Sequence, residues 1–282
     1  MIRFIAMDLD GTLMAEDHVT VTERTRRALK AAHDMGVKIA IATGRTLNVT
    51  ENVLNQIPFT DYVIYSNGAA VYSCAEKRVI YSNYMKKETV ETVVDFLERY
   101  PVFYEVYSGG RQHSENAKAK YFKNNGMPQE FVDDYTNSIT VHDSVAQFAK
   151  SHDIEKINLF YFEFDSVYYE EIRSFLFSLK EIDCTSPVMG DIEMTTAGVD
   201  KAGAIDGICK KYGIKKAEAM AFGDADNDIE MLNYCGLGIA MANASDVCKQ
   251  AANYVTLSNA EDGVAVAVEK FILNEGEKTP NV

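Results

Sequence analysis

Cysteine is sparse and scattered in this 282-residue chain, at Cys74, Cys184, Cys209, Cys235 and Cys248. The count is odd and no C-x-x-C pair occurs, which argues against a disulfide framework or a thiolate zinc site. Reduced thiols in a cytoplasm are the expected state. The five histidines show no H-E-x-x-H or other paired spacing. No apolar run approaches the ~18 residues that a membrane span needs. The first residues lack a basic start and a long apolar core, because Asp8 and Asp10 interrupt them, so no secretory leader is expected. Positive charge is also short. Lys and Arg number 28 against 42 Asp and Glu, a formal net charge of -14. That balance argues against a nucleic-acid backbone or an anionic membrane as partner. It leaves room for an anionic small molecule, because local cations or a metal can reverse the field inside one cleft.

What is present is a globular composition, 47% hydrophobic and 25% charged, enough for one large domain or two ordinary ones. Residues 2–7, short and apolar with Phe and Ile, read as a buried strand. Thr22 and Glu23 open a helix with Ala28, Leu29, Ala32 and Met35 at helical spacing, and Gly36 ends it. "VKIAIATGR" is a second strand, a short helix covers 47–55, and "DYVIYSNGAAVYS" follows as a third strand. Alternating strands and helices predict an α/β fold with a doubly wound parallel sheet. From about 84 to 189 the chain is rich in Tyr and Phe. Strands are expected at 103–107 and 157–164, and helices at 86–99, 115–125, 144–151 and 166–180. This stretch reads as a second α/β unit inserted into the first, which then comprises 1–83 and 190–282. The first pattern returns with a helix at 200–213, the strand "AMAFG", and three further helices alternating with two short strands. Residues 274–282 are expected to fray.

In an open parallel sheet, ligands bind beyond the carboxyl ends of the strands. Those ends carry Asp8 and Asp10, Thr43-Gly44-Arg45, Asn67-Gly68, and Gly223, Asp224, Asn227 and Asp228. Lys201 begins the helix before the last of these strands. Four acids gathered at one sheet edge repel unless a cation neutralises them. A hard divalent ion suits oxygen ligands, and Mg²⁺ fits because it retains waters and shares a phosphate. Lys201 and the backbone N–H groups near Leu9, Gly11 and Gly44 add donors for an anion, a combination suited to a phosphoryl group. A turn at Gly11 lets Asp8 and Asp10 approach one reacting centre. Asp8 can then attack phosphorus, and Asp10 can supply and remove the proton.

The motifs D-x-D-G-T at 8–12, T-G-R at 43–45, a lone Lys at 201 and G-D-x-x-N-D at 223–228 resemble the haloacid dehalogenase-like phosphatases, in order and in sheet position. The resemblance covers essentially the whole chain, and the insertion resembles the large α/β cap of the Cof-type, or IIB, branch. It implies that Asp8 forms an aspartyl-phosphate and binds Mg²⁺. It implies that Asp10 is the acid/base and a metal ligand through its carbonyl. Thr43, Gly44, Leu9, Lys201 and Asn227 would hold the phosphate. Asp224 would bind the metal, and Asp228 would support it through water or Lys201. One departure is Lys201-Ala202-Gly203, where the family commonly has Lys-Gly.

Some features stay open between a functional and a structural role. Asn67-Gly68 is either a turn pair or part of the site, and Asp228 can also cap the following helix. Gly109 and Gly110 beside Arg111 and His113 form either a loop over the substrate or an exposed hairpin. The cap aromatics read first as sheet core. The expected activity is a Mg²⁺-dependent phosphatase acting on a small phosphorylated metabolite. The resemblance to that branch implies a sugar phosphate first, with pyridoxal phosphate or a flavin mononucleotide as alternatives that could stack on aromatic rings. Two competing readings use the same residues: a phosphomutase, and a non-catalytic sensor of a phosphorylated metabolite. Either a monomer or a dimer fits the chain.

Overall fold

In the computed structural model the described residues are 1–116, 137–159, 168–185 and 191–273. The body of the helix expected over 115–125, the second half of the 157–164 strand, the start of the helix expected at 166 and the tail at 274–282 lie outside them. The described residues divide into two compact units. One comprises residues 1–45, 50–81 and those from Asp200 onward, and the other comprises 46–49 and 82–199.

The first unit begins with β1 (Phe4–Met7), whose four side chains are all buried, as a strand flanked on both sides must be. Helix α1 (Glu23–Asp34) starts at Thr22, whose side chain accepts the Thr25 N–H. Its Ala28, Leu29 and Ala32 are buried, but Met35 lies past the helix end and is exposed, so it falls outside the expected stripe. Strand β2 (Lys38–Ala42), helix α2 (Glu51–Gln56) and strand β3 (Tyr62–Tyr65) follow. The stretch read as one third strand is in fact two. The chain reverses at Ser66–Gly68 and returns antiparallel as β4 (Ala70–Ser73), with β5 (Arg78–Ser82) at the sheet edge. Three consecutive left-handed residues, Ser66, Asn67 and Gly68, make that reversal.

The second unit contains α3 (Lys87–Leu97), β6 (Tyr104–Ser108), β7 (Arg111–Glu115), β8 (Thr140–His142), α4 (Val145–Ser151), β9 (Lys156–Leu159), α5 (Tyr169–Ser178), β10 (Ile182–Thr185) and β11 (Ile192–Thr196). Among the described residues its six strands run in the order β10-β11-β9-β6-β7-β8. Neighbours are antiparallel except β7 and β8. Val90, Val94, Tyr104, Val106, Ile157, Leu159, Ile172 and Met194 belong to one buried cluster. The Gly109–Gly110 pair closes the β6–β7 hairpin with both residues left-handed, the conformation a two-residue hairpin turn requires. Arg111 is exposed there, whereas His113 is buried, stacked on Phe148 and 2.9 Å from His142.

The chain re-enters the first unit with α6 (Lys201–Tyr212), β12 (Ala219–Gly223), α7 (Ile229–Tyr234), β13 (Leu237–Ala240), α8 (Asp246–Ala251), β14 (Tyr254–Val255) and α9 (Gly263–Val268). The finished sheet has the order β14-β13-β12-β1-β2-β3-β4-β5. The six strands from β14 to β3 are parallel to their neighbours. Strands β12, β1, β2 and β3 therefore lie side by side and deliver their carboxyl ends to one edge.

Candidate active site

Beyond β1 the backbone makes a wide turn over Leu9–Leu13. Leu9 is fully buried, and the Leu13 and Met14 amides bond back to the carbonyls of Asp8 and Leu9. The turn depends on Gly11. Its φ is +74°, and a Cβ there would overlap the Asp224 carboxylate. A glycine at this point lets the ends of β1 and β12 approach.

Three acids converge. One carboxylate oxygen from each of Asp8, Asp224 and Asp228 lies within 4.8 Å of the others. Lys201, at the first position of α6, is 1% exposed. Its Nζ donates to Asp8 Oδ1 at 2.6 Å and to Asp228 Oδ1 at 2.7 Å. A cation at a helix start opposes the helix dipole, and these two charge-assisted bonds offset that cost. Asp200 precedes it and accepts the Gly203 N–H, so the helix is capped in the ordinary way. The Asp228 carboxylate has a second role: Oδ2 accepts the N–H groups of Asp224 and Ala225. It thus shapes the turn after β12 and binds Lys201 at once. The Thr12 hydroxyl reaches across from the first turn and donates to Asp224 Oδ1 at 2.6 Å.

The charges do not balance. Burial works against the Lys201 ammonium, but Asp228 and Asp8 hold its proton affinity above the ordinary lysine value. Burial pushes the Asp8 carboxyl well above the usual range, with Asp228, Asp10 and Asp224 adding to the rise and Lys201 opposing it. Burial, joined by Asp228, pushes Asp224 up to about 6, against the Thr12 hydrogen bond. Three carboxylates facing one ammonium leave two negative charges when all are ionised. An all-oxygen donor set with that deficit fits a hard divalent cation.

Asp10 is handled differently. Its carboxylate is outside the three-acid group and lies in a fork from Arg45, with Nε to Oδ2 at 2.8 Å and Nη2 to Oδ1 at 2.5 Å. His18 Nδ1 is 3.2 Å from Oδ1. Burial alone would raise the Asp10 pKa, but the hydrogen bond with His18 and the charge and hydrogen bonds of Arg45 hold it below the ordinary carboxylate value. His18 is raised in turn, chiefly by its bond to Asp10.

The remaining expected residues also gather here. Thr43 is buried after β2, and its Oγ1 accepts the Arg45 N–H. Gly44 abuts Asn67, since a Cβ at Gly44 would stand 2.7 Å from Asn67 Oδ1. Asn227 Nδ2 lies 3.3 Å from that same oxygen. Gly68, with φ +97°, brings the turn after β3 against the start of α6, where a Cβ would overlap the Asp200 carbonyl. Every site residue expected from the sequence therefore lies at this edge of the sheet. Arg45 stood in the quoted T-G-R motif without a role. His18, and Asn243, which donates to the Gly11 carbonyl at 2.7 Å, were not anticipated, and no sequence motif marks them.

Residues 5–268 match the model of the haloacid dehalogenase-like hydrolases, and the chain belongs to that family. Its relatives narrow the class. It is 28% identical, over 96% of both chains, to the 5-amino-6-(5-phospho-D-ribitylamino)uracil phosphatase YcsE of Bacillus subtilis. Among solved structures it is similar to the subclass IIB sugar phosphatase BT4131 (TM-score 0.79, 28% identity, covering 95% of this chain and 98% of that one). It is also similar to TM0651 from Thermotoga maritima (TM-score 0.80, 26% identity, 96% and 98% coverage). The chain is a phosphatase of the Cof-type, subclass IIB branch.

Proposed function

We propose that this chain hydrolyses a small phosphomonoester through an aspartyl-phosphate on Asp8. The observation that carries the reading is the convergence of buried Asp8 and Asp228 with half-buried Asp224, with Lys201 bonded to Asp8 and Asp228. An oxygen of Asp8 attacks phosphorus as the bond to the leaving oxygen breaks, and Asp10 gives that oxygen a proton. In the second half Asp10 takes a proton from water, which attacks phosphorus and frees Asp8. Lys201 offsets charge on Asp8 and the phosphoryl group. Thr43, the Gly44 amide, the Leu9 amide and Asn227 orient the phosphoryl oxygens. Asp8, Asp224, the Asp10 carbonyl and, directly or through water, Asp228 would hold Mg²⁺, which supplies charge neutralisation for the transferring phosphoryl group.

The second unit, residues 84–189 in the sequence reading, serves as the cap that reads the leaving group. Sugar phosphates are the leading class, because one relative is named a sugar phosphatase and another acts on a phosphorylated ribityl compound. Among the described residues no helix is long and apolar enough to cross a membrane, and all five cysteines are free. A cytoplasmic enzyme on a diffusible metabolite fits both. The test is phosphate release from p-nitrophenyl phosphate with Mg²⁺, with EDTA, and with the Asp8→Asn variant. Activity should require the metal and vanish in the variant. Full turnover in EDTA would remove the metal assignment, and turnover by Asp8→Asn would remove the nucleophile.

A further inference from the structure

The contacts of Asp10 set a condition on proton transfer. Both of its oxygens are engaged by the Arg45 fork, and His18 shares Oδ1. Two parallel N–H···O bonds fix the plane of a carboxylate as well as its position. Arg45 is itself stitched in place by its backbone. Its N–H donates to Thr43 Oγ1 and its carbonyl accepts the Ser66 N–H. The Arg45 backbone is thus anchored to the ends of β2 and β3, while the carboxylate its guanidinium grips hangs from the turn after β1. The side chains remain in reach of solvent, 28% exposed for Arg45 and 41% for Asp10. A packing role for Arg45 would bury the group instead.

We propose that Arg45 is the positioning residue for Asp10, with His18 as a second arm, and that this clamp governs protonation of the leaving group. The inference rests on the phosphatase reading with Asp10 as acid and base. In the first half-reaction an Asp8 oxygen bonds to phosphorus, the bond from phosphorus to the leaving oxygen breaks, and a proton passes from Asp10 to that oxygen. The water that cleaves the aspartyl-phosphate returns a proton to Asp10. Arg45 contributes no proton. It sets where the Asp10 carboxyl stands when each proton moves, and a misplacement of about 1 Å at such a group can cost on the order of 100-fold.

The leaving group supplies the test. p-Nitrophenolate departs without a proton, whereas phenolate and p-methoxyphenolate depend far more on one. The measurement is kcat/KM for the three aryl phosphates with Mg²⁺, since it reports the first half-reaction. Arg45→Met should lose about 10- to 100-fold on phenyl and p-methoxyphenyl phosphate and no more than about threefold on p-nitrophenyl phosphate. Asp10→Asn should show the same selectivity. Arg45→Lys, which keeps the charge but cannot fork, should recover part of the loss. His18→Gln should shift the same ratio by less. An equal fall on all three substrates would overturn the proposal and place Arg45 on the phosphoryl group or the fold, and so would an unchanged ratio. Asp8→Asn separates the two levels. If it stays active, the reading of Asp8 as the nucleophile fails. If it is inactive while the Arg45 ratio is unchanged, only the clamp fails.

Discussion

Asp224 allows the electrostatics of the acid cluster to be weighed in isolation. Its carboxyl is pushed from an ordinary 3.8 up to about 6, first by burial and then by Asp228. A group with a raised folded-state pKa binds more protons in the native than in the unfolded chain between those two values. Stability must then fall as pH rises through that window and level off above it. Each tenfold change in proton affinity is worth about 1.4 kcal/mol, so the gap corresponds to at most about 3 kcal/mol. Solvent reaching the part-buried side chain reduces this. Asp224→Asn removes the titration while its amide oxygen can still accept the Thr12 hydroxyl. Other carboxylates, such as Asp10 and Asp17, are lowered and pull stability the opposite way at low pH, so the informative quantity is the difference between the two proteins. Urea denaturation of the metal-free proteins from pH 4 to 8 should show the variant gaining on the wild type by up to about 3 kcal/mol between pH 4 and 6. Above pH 6 the gap should hold constant, and excess Mg²⁺ should close it by stabilising the wild type alone. A difference that stays flat from pH 4 to 7 would refute the argument that these acids are short of a cation.

Two further outcomes follow from close contacts. Gly11→Ala must adopt a left-handed backbone and displace the Asp224 carboxylate, so it should lose about 1–2 kcal/mol or more and show a smaller Mg²⁺-induced rise in Tm; an unchanged Mg²⁺ response would contradict the geometry. Lys201→Met strips the only ammonium bonded to Asp8 and Asp228 among the described residues, so it should cost about 3–5 kcal/mol at pH 8 and less at acid pH, where the Asp8 carboxyl, raised by burial, takes up a proton; a loss independent of pH would point to packing instead.

The site was legible in the sequence because its parts sit on backbone features with strong local signatures. An apolar run ending in D-x-D-G marks a buried strand meeting a turn, and parallel order brings strand ends together whatever their separation along the chain. Asp8, Thr43, Lys201 and Asp224 could be placed on that basis alone. What could not be read depends on side-chain direction. Nothing in T-G-R states that Arg45 turns towards Asp10, or that Thr12 reaches Asp224. His18 comes to the site because a loop closes on Asp17, whose carboxylate accepts the Val19 and Thr20 N–H groups, and that closure has no periodic signal. The third strand was read too long for a related reason. Apolar pattern continues through "YVIYSNGAAVY" on both sides of the turn, and only the left-handed residues at Ser66, Asn67 and Gly68 divide it.

The central claim is that Asp8 carries the phosphoryl group between the two half-reactions. Rapid acid quench with a ³²P-labelled phosphomonoester and Mg²⁺, followed by proteolysis under acid conditions, tests it directly. Label on the peptide spanning Met7–Leu13, formed as fast as turnover and absent from Asp8→Asn, is the expected result. Turnover with no label on that peptide, or label held by another residue, would contradict it.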